Sequence, residues 1–393
     1  MTYLRRHAYG FGAPLLALLG LLGTVAAPAH AAPSDPWVRA WGLNSSGQLG
    51  NGSTLGQQTP SSVQGIRRGD VRLLAGGGGN TNLDFALALL ADGTVKSWGG
   101  NANGQLGDGT TTNRSLPVTV AGLSGASRVA GGYTFAAAVR GGRVWTWGDN
   151  GVGQLGNGAT SGDAVTRPGP VQSLNKVTDI ALGCYHALAL RQDGTVWSWG
   201  RNANGQLGIG TLVDRNTPQR VPDLQDVVAL SAGCYHSLAL LADGTVKSWG
   251  LNTSGQLGND SVTNSPSPVD VKLLADVRAI HAGWYHGFAL LEDGGVRAWG
   301  GNGDGQLGDG TTVNRTTPVP VPGLVGVEAL AVGWKHTIAL LADQSVVAWG
   351  DNSSGQLGDG TTTSSLSPVT ALPPGSGTTR VPPSLPYKTS YAY

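Results

Sequence analysis

The sequence predicts an all-β fold, a seven-bladed β-propeller built from repeats of about 50 residues. Three observations predict it. The motif W-G-x-N-x-x-G-Q-L-G recurs seven times, glycine supplies 64 of 393 residues while only 12% are charged, and the short strands read as apolar on both faces. Glycine is thus about 16% against a usual ~7%, and each interior glycine costs a helix roughly 0.8 to 1 kcal/mol relative to alanine. Helices are disfavoured, leaving strands and turns. Disorder and collagen are excluded as well, because 40% of residues are hydrophobic, tryptophan occurs 12 times and glycine has no three-residue period.

The chain opens on Arg5 and Arg6, an apolar run from Ala13 to Ala27 and Ala29-His30-Ala31. Charged start, apolar centre and small-x-small site predict a secretory signal peptide over 1–31, cut after Ala31, and hence an extracellular protein. Cleavage removes two arginines and moves the net charge from +1 to −1. A near-neutral chain without basic clusters has no electrostatic footprint for nucleic acid, and no second long apolar run would span a membrane. The expected protein is a monomer, with the propeller at 32–372 and a proline-rich tail at 373–393.

The motif begins at Trp41, Trp98, Trp147, Trp199, Trp249, Trp299 and Trp349, at intervals of 57, 49, 52, 50, 50 and 50 residues. Upstream of each tryptophan but the first lies a related stretch, clearest as Gly183-Cys184-Tyr185-His186-Ala187-Leu188-Ala189-Leu190 and its copies around His236, His286 and His336. One unit reads as follows. Ser237 to Leu241 is a strand, Asp243-Gly244 a hairpin turn, and Thr245 to Trp249 the returning strand. Gly250, Gly255 and Gly258 supply backbone angles closed to other residues, while Asn252 and Gln256 satisfy turn backbone. A segment marked by Pro266 and Pro268 ends the unit as an edge strand around Val269 and Val271. Antiparallel strands apolar on both faces, such as Phe85 to Leu90, need cover on each side, and sheets stacked around an axis provide it.

Seven outer half-units face only six copies of the inner strand. The first unit enters at Trp37 to Trp41, so its inner strand must come from the carboxyl end. Pro386 stands fifty residues after His336, and with Pro382 and Pro383 it leaves too few amide donors there. The closing blade is therefore expected to be incomplete, with Trp37 to Val63 as its outer strands and a loose or partly docked tail.

G-x-x-H-x-L-A-L, D-G-T-V and W-G-x-N-x-x-G-Q-L-G together resemble the repeat of the RCC1 (regulator of chromosome condensation) family over about residues 37 to 372. The resemblance implies a seven-bladed propeller, usually closed by strands from both chain ends. The family's eukaryotic exchange factors act on a small nuclear GTPase through a protruding wedge; here the largest surplus is seven residues, mainly the glycine-rich insert at Gly76 to Asp84, and no basic tail exists. Its plant ultraviolet-B photoreceptors carry G-W-R-H-T. This chain has Gly333-Trp334-Lys335-His336-Thr337 and Gly283-Trp284-Tyr285-His286-Gly287, with Cys184 and Cys234 at the tryptophan place of two units. Its secreted β-lactamase-inhibitory propellers cover a partner with an aromatic face at this stretch. The corresponding residues here are Tyr133, Tyr185, Tyr235, Trp284, Tyr285, Trp334 and Lys335.

Those residues suit a protein interface, since Tyr and Trp bury much area with few rotors lost. They would equally plug the channel or pack between blades, with at least one of Tyr185, Tyr235 and Tyr285 pointing inward. His186, His236, His286 and His336 share one repeat position, whereas a catalytic group is normally unique; the expectation is a structural imidazole bonded to backbone. His281 is unrepeated and lies on the opposite strand face from His286, so the two share no metal. Asn302-Gly303-Asp304-Gly305 resembles a calcium loop, but Val313 stands where its bidentate glutamate belongs. No nucleophile elbow, phosphate loop or zinc helix occurs, so no metal or cofactor is expected. Cys184 and Cys234 sit in adjacent blades; at roughly 8 Å from the axis their Cα atoms lie about 7 Å apart, the outer edge of disulfide reach.

The function expected is a secreted, non-enzymatic propeller that grips an extracellular protein or surface ligand through one ring face. The alternative is an extracellular propeller lyase or hydrolase with His281 in a polar cluster near the axis; exchange-factor activity stands behind both.

Overall fold

The computed structural model describes residues 36–79 and 82–393. The expected signal peptide at 1–31 falls outside the described residues. Six sheets have four antiparallel strands each, and a seventh has three. The innermost strands are Val71–Gly77, Ala126–Gly131, Val177–Leu182, Val227–Ala232, Val277–Ala282 and Val327–Val332, which open blades 1 to 6 in chain order. Each pairs with the strand of the histidine stretch, Phe85–Leu90, Phe135–Arg140, His186–Arg191, His236–Leu241, His286–Leu291 or His336–Leu341. Next outward comes the D-G-T-V strand, then the proline-marked edge strand, as in Val246–Gly250 and Ser265–Asp270 of blade 4.

The repeated motif is the joint between blades. Each motif tryptophan is fully buried and donates its indole N–H to the Gln carbonyl of the preceding blade, as Trp98 does to Gln48 at 2.9 Å and Trp249 to Gln206 at 2.9 Å. Trp41 continues the series by donating to Gln356 at 2.9 Å, across the junction of the two chain ends. The motif Asn locks the turn: Asn252 Oδ1 accepts from Leu257 N–H at 2.9 Å while Nδ2 donates to the carbonyls of Ser261 and Thr263. The last motif glycine stays small because the next tryptophan lies against it. At Gly208, where φ is +71°, an added Cβ would meet Trp249 Nε1 at 2.7 Å.

The seventh sheet corrects the expectation of a loose tail. Its order is Gln57–Arg67, Trp37–Gly42, Thr389–Ala392, so the carboxyl end supplies a paired strand. Thr389 stands opposite Gly42 as His336 stands opposite Gly350, three residues beyond the fifty-residue spacing. That offset carries the strand past Pro386, so every residue of it keeps its amide donor. The innermost place of this sheet is held by Ser384 and Leu385, which bond to the neighbouring blades instead: Leu385 N–H donates to Val332 and Gly76 N–H to the Ser384 carbonyl. Residues 35–393 thus form one compact unit, and Val38, Trp41, Leu385, Tyr391 and Tyr393 share a core with Trp98 and Ile338.

Candidate functional site

Between the innermost strand and the next, each blade turns through the G-x-x-H stretch, and successive side chains there take different directions. The glycine must be bare: at Gly183, Gly233 and Gly283 the following histidine ring occupies the space of a Cβ. The first x points to the axis. Tyr133, Cys184, Cys234, Trp284 and Trp334 line the channel mouth together, around a cavity of about 60 Å³. The second x spreads over the ring face, so Tyr185, Tyr235 and Tyr285 lie outside that lining, contrary to the expectation that one of them points inward.

The two sets form one aromatic surface. Tyr133, Tyr185, Tyr235 and Tyr285 follow one another at ring-centroid spacings of 5.3, 6.4 and 6.4 Å. Trp284 and Trp334 stack face to face, Trp334 also stacks on Tyr133, and Trp284 Nε1 donates to Cys184 Sγ at 3.1 Å. All six rings are half-buried. Cys184 and Cys234 are bridged, with Cα atoms 4.4 Å apart. The separation is shorter than the sequence suggests because these residues line the channel itself.

Two residues of this face, Arg201 and Tyr387, escaped sequence reasoning. Arg201 sits over both Tyr185 and Tyr235, 5.7 and 5.9 Å from their centroids. Its signal was the variable place after W-G, filled here by a cation. Tyr387, from the tail, meets Trp334 edge-on at 4.3 Å. It occupies the Trp334 place of the seventh blade once the three-residue offset is applied. Asp304 pairs with Lys335 at 3.0 Å, so the carboxylate of the calcium-like loop is engaged by a cation. Burial pushes the Tyr185 phenol up to about 12, with Tyr133 and Tyr235 adding to it and Arg201 opposing. Tyr185 therefore stays a neutral hydrogen-bond donor at any physiological pH.

The repeated histidines are buried, as a structural place requires, and His186 and His336 reach a serine side chain rather than backbone. His186 Nε2 donates to Ser237 Oγ at 3.0 Å, and Ser237 passes its own proton to the Gln206 carbonyl at 2.9 Å. That acceptor chain fixes the Nε2–H tautomer. His236 meets Gly287 at the corresponding place of the next blade and has no hydroxyl to use. His281 stands on the innermost strand of blade 5, with Nδ1 3.4 Å from the Pro383 carbonyl oxygen. Burial pulls its pKa down to about 4. No group of three His, Cys, Asp or Glu placed to hold a metal occurs among the described residues.

The family described as Regulator of chromosome condensation (RCC1) repeat matches residues 38–82, 92–139, 141–190, 193–240, 243–290 and 293–340. A second family of the same description matches 177–206, 227–256, 277–306 and 327–356. Ultraviolet-B receptor UVR8 of Arabidopsis thaliana is 30% identical over 188 residues, 47% of this chain and 41% of the receptor. E3 ubiquitin-protein ligase HERC2 of Homo sapiens is 34% identical over 185 residues, 46% of this chain but 4% of the ligase. These matches span less than half of either relative. Among solved structures, Prp20p from Saccharomyces cerevisiae superposes with a TM-score of 0.77 at 22% identity, over 90% of each chain. Human WBSCR16 gives 0.78 at 24%, over 90% of this chain and 98% of that one. Both share the propeller fold. With its repeats matched from residue 38 to residue 340 and each motif tryptophan bonded to the blade before it, the chain belongs to the RCC1-repeat family.

Proposed function

We propose that the protein is a secreted, non-enzymatic binding propeller that holds an extracellular protein partner or surface ligand on its aromatic ring face. The carrying observation is the uninterrupted run Tyr133, Tyr185, Tyr235 and Tyr285, with Trp284, Trp334 and Tyr387 filling its centre. Such a surface offers rigid amphipathic area, and Arg201, Lys335 and Lys388 lie beside it as polar anchors. The signal-like segment at 1–31 supports export. Tyr and Trp rings already packed against one another lose little further entropy when a partner covers them.

The test is affinity capture from culture medium and from cell surfaces with the full chain and with the double variant Tyr235→Ala, Tyr285→Ala. Both side chains lie outside the channel lining, so the variant should keep its melting temperature to within a few degrees. Loss of a captured species by the variant supports the reading. Equal capture by both proteins removes this face from consideration.

A further inference from the structure

Below the aromatic plug, the channel widens into a second cavity of about 280 Å³ against the innermost strands. These strands are in register from blade to blade, so equivalent places can be compared directly. At the third place, blades 1, 4, 5 and 6 carry Leu73, Ala229, Ala279 and Ala329. Blades 2 and 3 carry Arg128 and Asp179 instead, and these two meet across the blade boundary at 3.4 Å. At the fifth place, blade 4 has Ser231 where blades 1, 2, 3 and 6 have alanine.

Stability does not account for this exception. The Arg128 and Asp179 side chains are 47% and 36% exposed, and an ion pair of that exposure contributes little to folding. Placing two charges beside an apolar axis where sibling blades put Ala or Leu adds a desolvation cost.

The unspent bonding capacity is specific. Arg128 uses one N–H on the Ser127 carbonyl at 2.9 Å and its Nε on one Asp179 oxygen, and the Asp179 carboxylate also accepts from the Ile180 backbone N–H, which leaves three guanidinium protons and part of the carboxylate's accepting capacity. Ser231 Oγ accepts from Ala282 N–H at 2.9 Å, so its proton is available to donate. Donors for an anion and an acceptor for a cation therefore stand side by side, in a cavity whose lining also includes the partly exposed apolar side chains of Leu73 and Leu230. A molecule whose own carboxylate and ammonium are neighbours, and which carries an apolar side chain, complements all three features.

We propose that this axial cavity binds a free apolar α-amino acid, its carboxylate on Arg128 and its ammonium on Asp179. The site is separate from the aromatic face and stands or falls independently of it. Isothermal titration calorimetry of the full chain with L-leucine, L-isoleucine, L-valine and L-phenylalanine tests it, beside N-acetyl-L-leucine and L-leucinamide, each of which lacks one of the two charges. Arg128→Leu and Asp179→Ala place at each position a residue that sibling blades already carry, so both variants should fold; their melting temperatures without ligand check this. One bound amino acid per chain is expected, at least tenfold weaker in either variant and for either blocked leucine, with a ligand-induced rise in melting temperature only in the parent. Absence of binding by all four amino acids, unchanged affinity in the folded variants, or equal affinity for N-acetyl-L-leucine would each overturn the proposal.

Discussion

His336 Nε2 lies 2.9 Å from Ser390 Oγ, and Ser390 in turn donates to the Gln356 carbonyl at 2.8 Å. This repeats the His186, Ser237, Gln206 chain of blades 3 and 4, but here it ties the last complete blade to the tail strand. The sheet in which the tail strand pairs with Trp37–Gly42 is thereby joined to blade 6 by the same chemistry that joins blades 3 and 4. Ser390→Ala strips His336 of its buried partner and should cost about 1–3 kcal/mol of stability. Urea unfolding of parent and variant measures it; a change within experimental error would mean that the tail strand is not part of the cooperative unit.

The four repeated imidazoles predict acid lability. Burial lowers His186 and His286 to about 3 and His236 and His336 to about 4. The unfolded chain takes up these protons as pH falls below about 6.5, while the folded chain refuses them, so stability is lost on acidification between about 6.5 and 4. Each such proton contributes a slope of about 1.4 kcal/mol per pH unit. His236→Phe is the cleanest probe, since Phe85 and Phe135 hold this place in blades 1 and 2. The variant should fold and its stability should depend on pH by one proton less in that window. An unchanged slope would show that His236 titrates normally in the folded state.

Asp84 opposes that trend. Burial raises its carboxyl to about 7, against the lowering effect of backbone N–H bonds from Lys388 and Tyr387, each at 3.2 Å. Between about pH 4 and 7 the folded state keeps a proton that the unfolded chain releases, so this group costs stability as pH rises to 7 and adds no further change above it. Asp84→Asn removes the titration together with one of the two acceptors. Relative to the parent, the variant should gain stability as pH rises from 4 to 7, and its Tyr387 and Lys388 amides should exchange faster. A parent–variant difference independent of pH would refute the assignment.

The repeat made most of this fold legible. A spacing held at 50 residues over the last three intervals fixes blade number, and the apolar strands fix sheet stacking. The proline content misleads about the tail because the register is offset: Thr389, three residues past Pro386, is the true partner of Gly42. Gly76 and Gly79 were visible as exceptions without a reason. In the structure the Cβ space of Gly76 is occupied by Pro386, and that of Gly79 by Tyr133 and Trp334, so the insert makes room for the tail and the plug. Direction was the other illegible quantity. Sequence identified Tyr185 and Cys184 together, but only the turn geometry separates the ring face from the channel lining.

That separation gives the disulfide its consequence. Cys184 and Cys234 bridge blades 3 and 4 directly beneath Trp284, which donates to Cys184 Sγ. Closing a loop of 50 residues should stabilise the fold by about 4 kcal/mol in the chain-entropy view. Intact mass under denaturing conditions should rise by two hydrogens on reduction, and Cys184→Ala with Cys234→Ala should unfold at lower urea concentration. Because the bridge supports the tryptophan stack, the double variant should also change the near-ultraviolet circular dichroism of the folded protein. Lower stability with an unaltered aromatic signal would mean that the bridge acts on the unfolded chain alone, and that the plug is held by ring stacking and Tyr387 without it.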